Sequence, residues 1–427
     1  MTLLDRLTRI TTVLPRGTAF VGVGTALLGG ANYVHLAAAG HSLSVDDLAS
    51  FSVLWTIVAS LGLGLFFPIE QEVTRVVAAR VVAGDGALPV LRRGAALAGG
   101  LLAAVLLPLV LFADPIAGLF FHSDRSLLIA LGGAFAALAC AHLTRGMLAG
   151  LGRFEAYGLQ LGLDGLLRIV LSVGLALAGV TSVFAFAAVM TVAPLVSVLA
   201  TLAPVRRGAA PGPPAGWGEL IEHLGLLVGS TLLAQVLVNV AVISTKLIAS
   251  QDSALVAALL SALVVARVPV FVFGAFQAAL LAGLSTARAE GDTPGYRRLL
   301  LRACSVTAGL GLSFGLVTAT LGPMLLPVLF GAPDVLGPVD FGWLGLGTTL
   351  FLLATVLGQA LLTSGAARQQ LLAWITGTGV LLVVTLSPLP LRPRVEIAYA
   401  LGALTVVVVM LLVIRARVGY GAVHSSE

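Results

Sequence analysis

Twelve apolar runs, each about as long as a bilayer is thick, leave this chain few ways to fold. A membrane core takes about 20 mostly apolar residues per helix. The 427 residues offer such runs at 18–39, 48–69, 94–113, 127–147, 158–180, 182–203, 223–245, 254–284, 303–327, 342–363, 371–388 and 396–414. With 59% hydrophobic and 10% charged residues and a mean hydropathy of +1.07, there is too little polar surface to cover a water-soluble globule. The fold class expected is an all-α polytopic membrane protein with twelve transmembrane helices. The eighth run is long enough to tilt or to project from the membrane.

The net charge of +5 comes from 23 arginines and one lysine, Lys246. Their placement follows membrane topology. With both termini cytoplasmic, eighteen of the 24 basic residues fall on the cytoplasmic side and four on the other, Arg125, Lys246, Arg392 and Arg394. No soluble basic domain exists to hold a polynucleotide, so a nucleic-acid partner is not expected. Arginines 6, 9 and 16 before an apolar run ending Ala37-Ala38-Ala39 resemble a secretory signal. That run is too long for one, and it reads as a retained first helix. Cys140 and Cys304 sit in apolar runs without metal-ligand spacing and read as small packing residues.

The chain also repeats itself. Its only asparagines, Asn32 and Asn239, lie 207 residues apart, and Gly84-Asp85 and Gly291-Asp292 share that offset. Glu70 maps onto Gln277 in the same way. With some drift, the proline-started exit Asp114 to Phe120 answers Gly322 to Phe330, and the turn Arg145 to Arg153 answers Gly358 to Arg368. Two six-helix bundles related by an internal repeat are therefore expected, at 1–203 and 223–427, joined by a cytoplasmic linker at 204–222. The Pro/Gly-rich stretch from Arg206 to Trp217 predicts a flexible connection. Six helices per half make the repeat parallel, with its axis along the membrane normal. The doubling breaks where Ser60 pairs with Arg267.

Several segments resemble a known group. Ala31-Asn-Tyr-Val-His-Leu-Ala-Ala-Ala39, then Ala49-Ser-Phe-Ser and Glu70-Gln-Glu-Val-Thr-Arg75, are similar to helices 1 and 2 of the multidrug/oligosaccharidyl-lipid/polysaccharide (MOP) exporter superfamily, and within it of the polysaccharide flippases. The turn Arg145-Gly-Met-Leu-Ala-Gly-Leu-Gly-Arg-Phe154 and the exit Leu329-Phe330-Gly331 are also similar to theirs. The resemblance covers most of the chain. It implies two six-helix bundles around a central cavity that opens alternately to each side, and a polyprenyl-linked glycan as substrate.

Ionisable groups within the bilayer cost about 2.5–3.5 kcal/mol each on insertion scales, so each asks for a reason. Arg267, midway along helix 8 and two residues before Pro269, has the chemistry to hold a pyrophosphate or acidic sugar bidentately, or to pair with an acid on a neighbouring helix. Asp164 and Arg168, near the cytoplasmic end of helix 5, have the spacing of an intrahelical ion pair, and Arg168 is a second phosphate contact if it faces the cavity. Gln235, Asn239, Asn32 and Gln277 suit sugar hydrogen bonds or interhelical ones. Glu70 and Glu72 before Arg75 read as an interfacial charge cluster.

A cation-coupled multidrug exporter of the same superfamily is the nearest alternative. Its coupling carboxylate would have to be Asp164, because helices 1, 7 and 10 offer no interior acid. A membrane glycan polymerase would need larger outer loops, and no metal cluster, phosphate-binding loop or nucleophile motif is present. A non-transporting scaffold subunit is the remaining class. The expectation is thus a non-enzymatic, cofactor-free flippase of the cell membrane. Its partners would be the lipid bilayer, a lipid-linked glycan and enzymes of cell-envelope synthesis.

Overall fold

The computed structural model describes residues 17–221, 224–248, 253–266, 269–270, 280, 284, 287 and 292–423. Every regular element among them is a helix. The first half comprises α1 (Thr18–Ser42), α2 (Val45–Ile57), α3 (Leu63–Ala83), α4 (Leu88–Leu111), α5 (Ala113–Phe120), α6 (Ser126–Gly150), α7 (Phe154–Leu177) and α8 (Val183–Gly208). After the five-residue α9 (Trp217–Ile221) come α10 (Leu224–Ile248), α11 (Ser253–Ala266), α12 (Thr293–Phe330), α13 (Pro338–Thr363), α14 (Ala367–Thr385) and α15 (Leu391–Val423).

Ten helical spans among the described residues are long and apolar enough to cross a bilayer, so this is a multi-pass membrane protein. Helices α2 and α3 form one such span, Val45–Val81, joined by a π-helical turn at Val58–Gly62. Ser60 falls within that turn and donates its hydroxyl to Thr56 O at 2.7 Å. The expected eighth run is described only as α11 and a few positions beyond it, and Arg267 lies outside the described residues. The longest described helix is instead α12, at 38 residues. Asp292 caps its N-terminus by accepting from Gly295 N at 2.9 Å, and Gly331 ends it in the left-handed region at φ 59°.

The repeat is visible in the packing. In the first half α4 packs on α6, α6 on α7 and α8, and α7 on α8. In the second half α12 packs on α13, α13 on α14 and α15, and α14 on α15. The third to sixth helices of each half therefore choose the same neighbours.

Two compact units divide the chain. One holds Met1–Ala38, Leu65–Asp114 and Arg125–Gly225; the other holds Ala39–Gly64, Pro115–Asp124 and Leu226–Glu427. In the second unit α11 packs against α2, α12 and α13.

The Pro/Gly-rich connection differs from expectation. Its proline-rich backbone is docked on α3 and the start of α4 within the first unit. Leu88 N donates to Ala210 O at 3.0 Å, and Arg80 donates to Pro213 O at 2.8 Å and Pro214 O at 3.2 Å. Arg93 lies over the Trp217 ring, 4.6 Å from its centroid. A chain that cannot form a helix there still satisfies its carbonyls, with arginine donors in place of a backbone ladder.

Candidate functional site

The first unit encloses a polar network built from four helices, and two glycines explain how it is assembled. At Gly146 a β-carbon would sit 2.8 Å from the Glu70 carbonyl oxygen, so only glycine lets α6 approach α3 this closely. Thr74 ties the crossing by donating to Gly146 O at 3.2 Å. The contact turns Glu70 onto α6, where its Oε2 lies 2.7 Å from His142 Nδ1. The Tyr157 hydroxyl, from α7, donates to the other oxygen at 2.7 Å. Both side chains of the acid–imidazole pair are buried, at 8% and 7% exposure, and the Phe67 ring meets the imidazole edge-on.

Gly165 does the same for α7 and α1, since a β-carbon there would meet the backbone of Leu27 and Leu28 within 3 Å. The approach brings Arg168 to Asn32, whose Oδ1 accepts from Nη1 at 3.1 Å. The other terminal nitrogen of Arg168 donates to Asp164 Oδ1 at 3.2 Å. Asp164 Oδ2 in turn accepts from Arg145 of α6 at 2.9 Å. Two guanidinium groups thus share one carboxylate that is 2% exposed. Glu70 supplies the second negative charge, and Arg145 acts on it electrostatically. The Nε atoms of both arginines are buried and make no hydrogen bond. Gln160 braces the same helices by donating to Thr144 Oγ1 at 2.9 Å.

Sequence reasoning placed three of these residues and misread others. Asp164, Arg168 and Asn32 come together. Helix α7 starts at Phe154, earlier than predicted, so Asp164 and Arg168 straddle its middle and not one end. Their pairing is not purely intrahelical, because Arg145 takes the second aspartate oxygen. The sequence suggests a cytoplasmic turn at Arg145, yet α6 continues to Gly150 and Arg145 is 4% exposed. The Glu70/Glu72 cluster splits. Glu72 pairs with Arg75 at 2.7 Å, whereas Glu70 turns inward to His142.

His142, Tyr157, Gln160 and His35, which lies 3.0 Å from Phe186 O, went unnoticed. A histidine inside an apolar run was the available signal. In the second unit Gln235 is partly buried on α10, and Asn239 lies one turn further along the same helix. The Asn239 side chain, Arg267 and Gln277 lie outside the described residues.

An open cavity of about 490 Å³ lies elsewhere in the first unit, beside the connection, lined by Arg75, Arg80, Asp85 and Glu219 among others. Charged side chains there are partly open to solvent, Arg75 at 51% and Glu219 at 42% exposure. The interior network is the better candidate site, because each of its charges lacks water and must be answered by a specific partner.

No protein-family profile matches the chain. An uncharacterized protein of Mycobacterium tuberculosis is 26% identical over 402 residues, covering 91% of this chain and 89% of that protein. One of Mycobacterium bovis is 26% identical over 400 residues, with 90% and 89% covered. Among solved structures, an inward-facing multidrug resistance MATE family transporter of the MOP superfamily aligns with a TM-score of 0.70 at 16% identity, over 93% of this chain and 95% of that one. A MOP superfamily transporter from Pyrococcus furiosus, described by the reverse polarity of its binding pocket, aligns with a TM-score of 0.70 at 16% identity, over 94% and 95%. A Vibrio cholerae MATE transporter gives 0.63 at 16%, over 96% of each chain. At these identities the likeness is one of architecture: the chain has the fold of the transporters of the MOP superfamily.

Proposed function

We propose that this chain is a transporter of the MOP superfamily that moves an anionic, lipid-linked glycan precursor across the cell membrane by alternating access. The observation that carries this reading is the pair of buried arginines, Arg145 and Arg168, on the single carboxylate of Asp164. A guanidinium held at mid-helix, with Nε unused, is matched to a phosphate or diphosphate head group. Asp164, with a guanidinium on each oxygen, is better suited to orienting the arginines than to binding a coupling cation.

In this reading Arg168, which the sequence offered as the second phosphate contact, holds the head group with Arg145, and the sequence-based role of Arg267 as the principal head-group arginine is kept as part of the proposal. Asn32, Gln235, Asn239 and Gln277 offer sugar hydrogen bonds. The lipid tail stays in the bilayer while the head group crosses from the cytoplasmic to the outer leaflet. Both termini lie in the cytoplasm, following the arginine bias. The protein carries out no bond chemistry, and enzymes of cell-envelope synthesis would supply and consume its cargo.

The test is binding to the full chain in lipid nanodiscs, read by native mass spectrometry. The probes are a short-chain polyprenyl diphosphate glycan and a cationic dye. Wild type should retain the diphosphate, and Arg168→Gln should bind it about 10-fold or more weakly, the loss of one charge-assisted contact of about 1.5–3 kcal/mol. Retention of the dye without the diphosphate supports the multidrug exporter instead.

A further inference from the structure

The interior network makes no use of the open cavity of about 490 Å³ beside the connection. We propose that this cavity holds the head group of a phospholipid carrying both a phosphate and a primary ammonium, drawn from the leaflet at the C-terminal end of α3. This goes beyond the substrate assignment and does not depend on it.

The cavity lies where a head group would lie. It runs along the last turns of α3, at the end of the membrane span Val45–Val81. Its apolar floor is Val76, Ala79 and Ala83, whose spacing keeps them on one face of the helix. Trp217, two residues before the cavity-lining Glu219, carries Arg93 on its ring. Tryptophan settles at the level where lipid tails give way to head groups, so it marks the same depth.

The charges in the cavity are those of a zwitterion's counterpart. Arg75 is half exposed; its Nε and Nη2 donate to Glu72 Oε2 at 3.0 and 2.7 Å, and Nη2 also reaches Glu219 O at 2.6 Å. That leaves the Nη1 edge for a phosphate oxygen. Arg80 is taken up by Pro213 O, Pro214 O and the Glu219 carboxylate, so it holds the wall in place. Asp85 is different, because it lines the cavity partly buried and enters no ion pair among the described residues. A phosphate alone would face that carboxylate with nothing to answer it. A primary ammonium on the same head group answers it with N–H donors, and a trimethylated one has none to give. The cavity therefore fits an ethanolamine head group better than a choline or glycerol one.

The experiment is native mass spectrometry of the full, delipidated chain in detergent. Phosphatidylethanolamine, phosphatidylcholine and phosphatidylglycerol with matched acyl chains compete for it, and O-phosphoethanolamine serves as the head group without tails. Wild type should retain phosphatidylethanolamine over phosphatidylcholine by about 10-fold or more, the scale of one charge-assisted contact, and Asp85→Asn should abolish the preference. Asp85 stands outside the helices, between α3 and α4. Should Asp85→Asn still fail to fold, Arg75→Gln decides the matter, since it should weaken retention of every lipid by removing the phosphate contact they share. Equal retention of the ethanolamine and choline lipids by wild type overturns the proposal, as does an unchanged preference in Asp85→Asn or unchanged retention in Arg75→Gln. Phosphatidylglycerol held ahead of phosphatidylethanolamine also overturns it, because that marks a plain cationic rim. Displacement of the lipid by an equal concentration of O-phosphoethanolamine overturns the lipid as occupant. No glycan is present, so failure here is distinct from failure of the substrate assignment.

Discussion

Helices α4, α6, α7 and α8 pack in the same order as α12 to α15, yet the two sets enclose different chemistry. The first set, with α1 and α3, surrounds Glu70, His142, Arg145, Asp164 and Arg168, all under 9% exposed. Among the described residues of the second set, the interior polar groups are chiefly hydroxyls, such as Thr348 against Tyr399 at 3.3 Å and Tyr296 donating to Ala360 O at 3.0 Å. Its described acids inside helices, Asp340 and Glu396, are also buried but sit near the starts of α13 and α15, where Asp340 caps Gly337 N and pairs with Arg392 at 3.6 Å. The duplication thus conserves packing while charge is placed unequally. Packing needs only shape, which a repeat copies, whereas a buried charge has to be answered by a partner at each place it occurs.

That contrast can be broken most severely at Asp164. Asp164→Ala leaves Arg145 and Arg168 buried and uncompensated, and should cost about 3–5 kcal/mol, read as a large fall in the melting temperature of the detergent-solubilised protein. An unchanged melting curve would mean that the arginines reach water. Gly146→Leu should cost about 1–3 kcal/mol by forcing α3 away from α6. Gly342→Ala, whose β-carbon would meet nothing within 4 Å, is the control in the second half and should not destabilise. Thr348→Val removes only a hydroxyl contact and should cost about 0.5–1.5 kcal/mol, well below Asp164→Ala. Equal losses at Thr348 and Asp164 would erase the difference between the halves. Smallest is Trp217→Ala, which removes the cation–π contact of Arg93 for about 0.5–1 kcal/mol, seen as faster proteolysis of the connection.

The helical architecture was legible because bilayer thickness imposes a length and an apolar content on each span, and both are properties of contiguous sequence. The repeat was legible through Asn32 and Asn239, although its firmer proof is the shared choice of helix neighbours. The site was legible only where partners are close in sequence. Asp164 and Arg168, four apart, could be paired by helical spacing, but Arg145 and Asp164 meet across two helices, and Glu70 and His142 are 72 residues apart. Nothing local in Gly146 or Gly165 announces which helix they admit. The docking of the connection was hidden for a similar reason. Pro and Gly forbid a helix there, but they do not forbid docking by Arg80 and Arg93 from another segment.

The buried arginines of the first half are proposed to select an anionic, lipid-linked cargo. The most direct test is leaflet exposure of a fluorescent polyprenyl diphosphate glycan in vesicles containing purified wild type or Arg168→Gln, with both proteins matched for folding by their melting curves. The prediction is translocation by wild type and a rate about 10-fold or more lower for Arg168→Gln, the scale of one lost charge-assisted contact. Equal rates for the two proteins, or translocation of a cationic dye with none of the glycan, would contradict it.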